Sequence, residues 1–323
     1  MTPLLCRDIE TARQLFAPSA LAIGNFDGVH VGHLTLLREA ITLAQANGFV
    51  PSVLTFDPHP TAVVAPQRTP PMICTLDERI RLIFAAGVEQ ILVLPFTHEI
   101  AHLSPLGFVS QILVNSLKTK AVVVGENFRF GHRQTGNPAV LRQLGTKLGF
   151  ESQFLPPVVV RGETVSSSAI RRDLSAGKVF RAARLLGRCF SLAGPVISGQ
   201  GIGSKQTVPT LNIRPVPGLV CPSGVFVTET EDRLSGRRWP SITNVGVRPT
   251  FGGDDVTIET YLLAPLNGPA PEDIEVRFHH FVRFERKFPS PDLLRAQILR
   301  DVSCAQAYWR RVANFRTSAA SIY

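Results

Sequence analysis

The chain has 323 residues, of which 44% are hydrophobic and 18% are charged, and its formal net charge is +9. This length and composition allow two globular domains and argue against a disordered chain. The positive charge is spread evenly over both halves without a Lys/Arg block, which favours sites for phosphorylated small molecules over a nucleic-acid surface.

Cysteine usage and hydropathy narrow the class further. Five scattered cysteines without a C-x-x-C pair indicate neither a disulfide framework nor a zinc site. The N-terminal residues lack the apolar core of a signal peptide, and no apolar run approaches the roughly 20 residues of a membrane span. We therefore predict a cytoplasmic protein that makes no membrane contact.

The first half of the sequence alternates apolar runs with helical patterns. Helices are predicted over 32–48, over 75–87 with a Thr75/Glu78 capping box, and from Ser104 and Asn137 onward, each followed by proline. Apolar runs between them predict strands over 20–26, 51–56, 90–96, 121–125 and 154–160. Strands separated by helices imply a parallel sheet wound on both faces, and ligands of such sheets bind beyond the carboxyl ends of the strands.

The second half of the sequence has a different pattern of apolar and turn residues. After a helical segment over 166–187, short β-branched and aromatic runs separated by turn residues predict an antiparallel sheet or small barrel. A final helix is predicted over 290–309. The domain boundary is placed near Gly187, giving domains 1–186 and 187–323. The predicted strands cover 190–203, 224–231, 239–247, 256–263 and 274–284.

The segment GNFDGVHVGHL, residues 24–34, predicts an anion site at the start of the first long helix. Backbone N–H groups at a helix start attract phosphate, and His30 and His33 can reach the same anion. Gly24, Gly28 and Gly32 allow a nucleotide to approach the backbone closely. The alternative is that either histidine is a satisfied structural residue.

The segment GQGIGSKQTVPTLN, residues 199–212, contains glycines but does not open a helix, so a dinucleotide-binding motif is excluded by its context. A glycine-rich hairpin is the plain alternative. Thr210 and Asn212 place two side-chain oxygens on one face of a strand, and such oxygens suit Mg²⁺ beside substrate phosphates.

These and other motifs resemble one known family. GNFDGVHVGH is similar to the H-x-G-H signature of nucleotidyltransferases, in the version found in bacterial bifunctional riboflavin kinase/FAD synthetases. TFDPHP (55–60), VVVGENFRFGH (122–132) and VSSSAIR (165–171) follow in the family's order. The resemblance implies a doubly wound α/β nucleotidyltransferase domain that transfers an adenylyl group from ATP to FMN, giving FAD and pyrophosphate.

The resemblance also implies roles for single residues. His30 and His33 are expected to hold the ATP phosphates and act in catalysis, with Ser167, Ser168 and Arg171 contacting the triphosphate from the far side. The serines can also simply cap a helix. Turn formation is the alternative for two further candidates, Asp27 and Asp57. The remaining residues expected to bind ATP or FMN are Gly24, Asn25, Phe26, Gly32, Asn127 and Arg129.

The second half resembles the riboflavin kinase part of the same family. VPTLN matches its P-T-A-N motif, and CPSGVF (221–226), NVGVRPTFGG (244–253) and TIETYLL (257–263) follow in order. The resemblance implies a small antiparallel β-barrel with a C-terminal helix, in which Glu259 is the general base and Thr210 and Asn212 bind Mg²⁺. Without the resemblance, Glu259 would be interpreted as a solvated strand residue. The other residues implied to bind ATP or flavin are Gly199, Gly201, Gly203, Pro209, Asn244 and Arg248.

Three positions depart from the family pattern, namely Ser204 for arginine, Thr207 for glycine and Tyr261 for histidine. Lys205 lies next to the first of these, and we expect it to supply the missing cation to the nucleotide phosphates. A solvated loop lysine is the alternative.

We therefore predict a bifunctional enzyme that converts riboflavin to FMN and FMN to FAD with ATP and Mg²⁺. Its expected partners are these small molecules, without nucleic acid or membrane, and it is expected to be a monomer or weak homo-oligomer. Two alternatives stay open at this point: a monofunctional nucleotidyltransferase for another phosphorylated vitamin with a flavin-responsive second domain, and a non-catalytic flavin- or RNA-binding protein.

Overall fold

The computed structural model describes residues 3–197, 210–250 and 253–320, and within these it does not describe the side chains of 247–250, 253–255 and 315–320. The chain divides into two compact units, Met1–Ser167 and Ser168–Tyr323. The sequence placed the boundary near Gly187, and the limit of the independently folding domains stays a prediction.

The first unit is built on a six-stranded parallel sheet with the order β1-β4-β3-β2-β5-β6. After β2 the chain continues to β3 on one side of the sheet, and after the neighbouring β5 it continues to β6 on the other side. This divergence opens a crevice at the carboxyl ends of β2 and β5. The strands are β1 (Leu4–Cys6), β2 (Ser19–Ile23), β3 (Val50–Asp57), β4 (Gln90–Pro95), β5 (Thr119–Gly125) and β6 (Glu151–Leu155).

Helices cover both faces of this sheet, as the sequence predicted. They are α1 (Ile9–Leu15), α2 (Val31–Asn47), α3 (Pro60–Val64), α4 (Leu76–Ala85), α5 (His98–His102), α6 (Pro105–Gly107, continued as a wider helix over Phe108–Ser116) and α7 (Pro138–Leu148). Alternate strand residues enter opposite cores: Leu21 packs with Ile112 and Leu141 on one face. Ala22 packs with Leu37 and Ile83 on the other.

Local signals at the helix ends agree with the structure. Helix α2 ends at Gly48, whose φ of 69° is the left-handed conformation that glycine adopts without strain. Thr75 caps α4 by accepting the Glu78 N–H at 3.2 Å, and Ser104 and Asn137 cap their helices in the same way.

Two predicted elements are wrong in extent. The run 154–160 is not one strand, because β6 ends at Leu155 and β7 (Val159–Val160) pairs with β8 (Glu163–Thr164) in a separate hairpin. The prolines at 156 and 157 lack the N–H groups that a ladder needs. The helical segment 166–187 forms two helices, α8 (Ser167–Ser175) and α9 (Val179–Leu186), with Gly177 between them at a φ of 69°.

The second unit is a closed six-stranded antiparallel barrel with the order β10-β13-β12-β11-β14-β9. The last helix, α10 (Pro291–Ala320), is longer than the sequence predicted. Within the part of the chain that the structure describes, no helix is long and apolar enough to cross a membrane. The strands are β9 (Phe190–Ile197), β10 (Thr210–Ile213), β11 (Gly224–Asp232), β12 (Arg238–Thr250), β13 (Gly253–Leu262) and β14 (Asp273–Arg283).

The two faces of the barrel strands have different chemistry. Val225 and Val227 of β11 pack with Ala305 of α10, so this face is the outer one. The alternate residues face the barrel interior, where fully buried hydroxyls form a continuous chain. Its hydrogen bonds are 2.7–3.0 Å long and join Thr230, Ser241, Thr228, Thr243 and Thr260.

Candidate active sites

A cavity of about 870 Å³ opens at the carboxyl edge of the parallel sheet. Its walls come from the segments that follow β2, β3, β4, β5 and β6, which is where an α/β sheet of this order binds ligands. Among the residues that the structure describes, no Asp or Glu lines it. The charged or titratable side chains in its wall are Arg129, Arg133 and all six histidines of the first unit, His30, His33, His59, His98, His102 and His132.

The polar end of the cavity is the start of α2. His30 is the N-cap residue, and its Nδ1 accepts the His33 N–H at 3.2 Å. The two imidazole rings stack with centroids 3.6 Å apart and planes 12° apart. At Gly32 a Cβ atom would lie 3.3 Å from the His30 ring, so glycine leaves room for this arrangement. The helix start thus presents backbone N–H groups and two imidazoles to one space.

Electrostatics around His33 favour its neutral form. Burial lowers the pKa of His33 well below its ordinary value, and the neighbouring His30 and Arg79 act in the same direction. Its Nδ1 is buried, and within the described part of the chain no hydrogen-bond partner reaches that atom. Arg79 is itself buried and donates from Nη1 to the Phe56 carbonyl at 3.0 Å. The site therefore has unmet capacity for a negative charge.

The structure brings most of the predicted adenylyltransferase residues to this cavity. Besides the two histidines of α2, its wall contains Gly24, Asn25, Gly32, Asn127, Arg129 and Ser167. At Gly125 a Cβ atom would lie 2.9 Å from Oδ1 of Asn127, so this glycine permits the close turn after β5. The Ser167 hydroxyl donates to the Asp27 carbonyl at 3.1 Å, so the last residue of the first unit is bonded to the segment before α2.

Three predicted residues do not line the cavity. Phe26 is fully buried, with its ring centroid 5.1 Å from that of His33. Asp27 is buried and accepts the N–H groups of Ile73 and Cys74 at 2.9 and 3.4 Å, a structural use of its carboxylate. Asp57 is exposed at the end of β3. Two further candidates, Ser168 and Arg171, belong to the second compact unit as part of α8.

Sequence reasoning missed several cavity residues. His59 lies in the quoted TFDPHP segment, where its Nδ1 accepts the Thr61 N–H at 3.2 Å and its Nε2 lies 3.0 Å from the Asn25 amide nitrogen. His98 and His102, four residues apart on α5, were a detectable pattern. His132 is the last residue of the quoted segment VVVGENFRFGH, in which only Asn127 and Arg129 were predicted as site residues.

The barrel aligns its predicted site residues by strand register. Asn212 of β10 lies opposite Glu259 of β13, and Glu259 lies opposite Asn244 of β12. Because Asn244 also pairs with Val225, all three side chains share the outer face of the barrel. Thr210, two residues before Asn212, is on the same face and is exposed. A half-buried carboxylate thus lies between two amides on adjacent strands.

Glu285 is a neighbour of this row that the sequence did not indicate. Its Oε1 accepts from Nδ2 of Asn244 at 3.1 Å. A Cβ atom at Gly246 would collide with the Glu285 carboxylate, so glycine at that position admits the side chain.

The predicted metal ligands have suitable chemistry for Mg²⁺, because hydroxyl, amide and carboxylate oxygens are the hard donors that this ion accepts. Among the described residues, no group of three or more His, Cys, Asp or Glu side chains could hold a metal by itself. The set at Thr210 and Asn212 therefore fits an ion that arrives with substrate phosphates. Outside the described residues lie Gly199, Gly201, Gly203, Ser204, Lys205, Thr207 and Pro209, as does the side chain of Arg248.

Comparisons with known proteins match both units. The family model for FAD synthetase matches residues 13–169, and the model for riboflavin kinase matches residues 186–309. A crystal structure described as a macrolide-efflux protein from Streptococcus pneumoniae superposes with a TM-score of 0.83 at 26% identity, covering 94% of this chain and 99% of that one.

Curated relatives are similar over nearly their whole length. The bifunctional riboflavin kinase/FMN adenylyltransferase of Pseudomonas fluorescens is 33% identical over 94% of this chain and 97% of its own. The enzymes of the same description from Escherichia coli and Haemophilus influenzae are each 32% identical, covering 90% and 94% of this chain and 92% and 99% of their own. The chain belongs to the family of bifunctional riboflavin kinase/FMN adenylyltransferases.

Proposed function

We propose that this chain catalyses both reactions of its family, phosphorylating riboflavin to FMN on the barrel and adenylating FMN to FAD in the cavity of the first unit, each with ATP. The observation that carries the proposal is the placement of carboxylates. The cavity wall has none among the described residues, whereas Glu259 lies in the centre of the barrel's polar row. Each arrangement matches the nucleophile that its reaction uses.

Adenylyl transfer needs no general base. A phosphate oxygen of FMN, already ionised, attacks the α-phosphorus of ATP, a new P–O bond forms, and the bond to pyrophosphate breaks. The protein's task is to position two polyanions and to stabilise the charge of the transition state. A cavity wall of histidine, arginine and backbone N–H groups suits that task, and a carboxylate there would repel both substrates.

His30 and His33 are assigned to the phosphates. Because Nδ1 of His30 accepts the His33 N–H, the neutral His30 ring carries its proton on Nε2 and donates from that atom. The lowered pKa of His33 favours its neutral form, and a triphosphate beside the ring would favour the protonated form. We assign Asn127, Arg129 and Ser167 to contacts with the nucleotide or flavin, since they line the same cavity.

Phosphorylation of riboflavin does need a base. The terminal ribityl hydroxyl gives its proton to the Glu259 carboxylate as its oxygen attacks the γ-phosphorus, and the bond to ADP breaks. Asn212 and Asn244 flank Glu259 on the adjacent strands, where the backbone register places them. Mg²⁺, when bound by Thr210, Asn212 and the phosphates, supplies electrostatic stabilisation of the transferred group.

Several statements stay predictions from the sequence. The cytoplasmic location, the monomeric or weakly oligomeric state, the absence of nucleic-acid binding and the phosphate contact of Lys205 are in this group. The roles of Asp27 and Asp57 are also in this group. For Asp27, the hydrogen bonds that its carboxylate accepts from backbone N–H groups favour a structural use.

The decisive experiment incubates the purified chain with riboflavin and Mg-ATP and resolves the flavins chromatographically over time. We expect FMN to rise first and FAD to follow, with ADP and pyrophosphate as the other products. If FAD forms only when FMN is supplied, the chain has the adenylyltransferase activity but no riboflavin kinase activity, and the second unit is then a flavin-responsive domain. No turnover of either flavin would leave a binding protein.

A further inference from the structure

A second pair of histidines lies in the wall of the first-unit cavity and has no part in the mechanism above. The rings of His102 and His132 stack with centroids 4.9 Å apart and planes 26° apart. His102 ends α5, and His132 follows β5 in the turn Gly131–Gln134. Both rings line the cavity.

The backbone holds these two segments together tightly. The His132 N–H donates to the Leu103 carbonyl at 2.7 Å. At Gly131 a Cβ atom would lie 2.8 Å from the Pro105 nitrogen, so glycine allows the turn to rest on the start of α6. A pair of backbone hydrogen bonds between Phe130 and Gly136 closes the loop. The contact between the rings is therefore built into the fold of both segments.

The loop is also strained where it meets the cavity. Arg133 and Gln134 have backbone φ values of 50° and 59°, a left-handed conformation that residues other than glycine rarely adopt. Both residues line the cavity. Strain of this kind persists where the surrounding structure over-determines it, and it clusters at ligand sites.

The hydrogen bond of His102 decides its tautomer. Its Nδ1 lies 2.6 Å from the His98 carbonyl oxygen, and a carbonyl only accepts, so Nδ1 carries the proton. In the neutral ring Nε2 is then an acceptor. His102 thus offers the cavity a hydrogen-bond acceptor in a wall that has no carboxylate among the described residues.

Aromatic rings surround this end of the cavity. Phe128 and Phe130 stack at 5.4 Å with planes 15° apart, and Phe96 lies edge-on to Phe56 at 5.6 Å. All four line the cavity. Flat aromatic surfaces of this kind bind a planar ring system. With the phosphates at the start of α2, this wall can receive a planar ring of a substrate, and we place the isoalloxazine ring of FMN there.

We propose that the His102–His132 pair is a positioning element of the flavin subsite, in which Nε2 of His102 accepts the N3–H of the isoalloxazine ring. This inference rests on the proposed function. The pyrimidine edge of a flavin presents a single N–H donor between two carbonyls, so a neutral imidazole acceptor matches its centre. His132 stacks on His102 and fixes the direction of that acceptor.

The test compares FMN with 3-methyl-FMN, which lacks the N3–H, as substrates for FAD formation in the full chain. We expect the wild-type KM to be about tenfold higher for 3-methyl-FMN, because one hydrogen bond is lost. In His102→Leu the KM for FMN rises by a similar factor and the preference between the two flavins disappears. The kcat and the KM for ATP stay unchanged, which a general structural defect would not produce.

His98→Leu is the matched control, since it removes a histidine from the same helix and cavity wall but leaves the ring pair and the carbonyl partner of His102 in place. It should keep the wild-type preference for FMN. Equal KM values for the two flavins in the wild-type protein, a comparison that needs no variant, would overturn the inference, as would a preserved preference in His102→Leu. Absence of FAD formation from FMN would instead contradict the proposed function.

Discussion

The cavity of the first unit and the polar row of the barrel are both proposed sites for ATP, yet they differ in the sign of their titratable side chains. Histidines and arginines line the described wall of the cavity, whereas Glu259 and Glu285 lie at the barrel row. The difference follows from the nucleophile. A phosphate monoester is already an anion and needs only positive surroundings, while an alcohol must lose a proton as it attacks.

The two sites are also assembled by different means. The cavity collects side chains from five segments that meet because parallel strands end at one edge of a sheet. In the barrel, hydrogen-bonded register alone places Asn212, Glu259 and Asn244 side by side. A loop-built site tolerates added side chains such as His102 and His132, whereas a register-built site changes with any slip of a strand.

The largest effect should come from the barrel. Glu259→Gln keeps the size of the side chain but removes the base, so riboflavin phosphorylation should fall by roughly 10²- to 10⁴-fold. Conversion of added FMN to FAD should continue at the wild-type rate. Chromatography of both reactions checks this, and a Gln variant with a near-normal kinase rate would refute the assignment of the base.

The converse change is in the cavity. His30→Ala or His33→Ala should lower FAD formation on the order of 10²-fold or more, because donors to the transition-state charge are lost, while FMN still accumulates from riboflavin. His280→Ala, an exposed histidine of the barrel that stacks on Tyr308, is the control and should change neither rate. Equal loss of both activities in a folded His33 variant would contradict the division of labour.

Adding a carboxylate to the cavity tests its charge directly. Gln134→Glu is nearly isosteric and lines the cavity, so it should raise the KM for FMN or ATP by about fivefold through repulsion of the phosphates. Gln111→Glu places the same charge on an exposed helix position outside the cavity wall and should have no effect. Unchanged KM values in Gln134→Glu would show that the absence of carboxylates is not functional.

The smallest effect concerns pH. The pKa of His33 in the folded state lies well below its unfolded value of about 6.5, so the folded state binds fewer protons than the unfolded state. The folded state therefore keeps its full stability above about pH 6.5 and loses stability as the pH falls below that value. His33→Asn should make the first unit less sensitive to acid between about pH 6.5 and 5.

Hydrogen exchange of the β2 to β5 amides is the appropriate measurement. All Trp and Tyr residues lie after residue 167, so their fluorescence reports only the second unit. An identical acid response in wild-type protein and His33→Asn would show that another group controls the pH dependence.

Much of the fold was predictable because its signals are local. The α2 helix ends where Gly48 permits a left-handed residue, and Thr75, Ser104 and Asn137 cap helices within three residues of their own positions. The pair His30 and His33 was predictable for the same reason, since a helix start and a three-residue spacing are properties of one segment.

Contacts between distant segments were not predictable from patterns in one segment. Asp27 looked like a candidate for the site, but the tertiary fold directs its carboxylate to the N–H groups of Ile73 and Cys74. His132 reaches His102 only because the loop after β5 rests on the start of α6. The residues next to Asp27 and His132 in the sequence do not determine these contacts.

By itself, the sequence determined the alternation of strands and helices in the first half, the series of β-patterned segments in the second half, and the motifs from which the site residues are predicted. Periodicity and capping depend on backbone geometry within a few residues, which is why those features can be read along the chain. Only the tertiary structure decided which histidines share a cavity, that its described wall lacks a carboxylate, and that Glu285 meets Asn244. These depend on strand order and on the packing of segments far apart in sequence, where many arrangements satisfy the same local patterns.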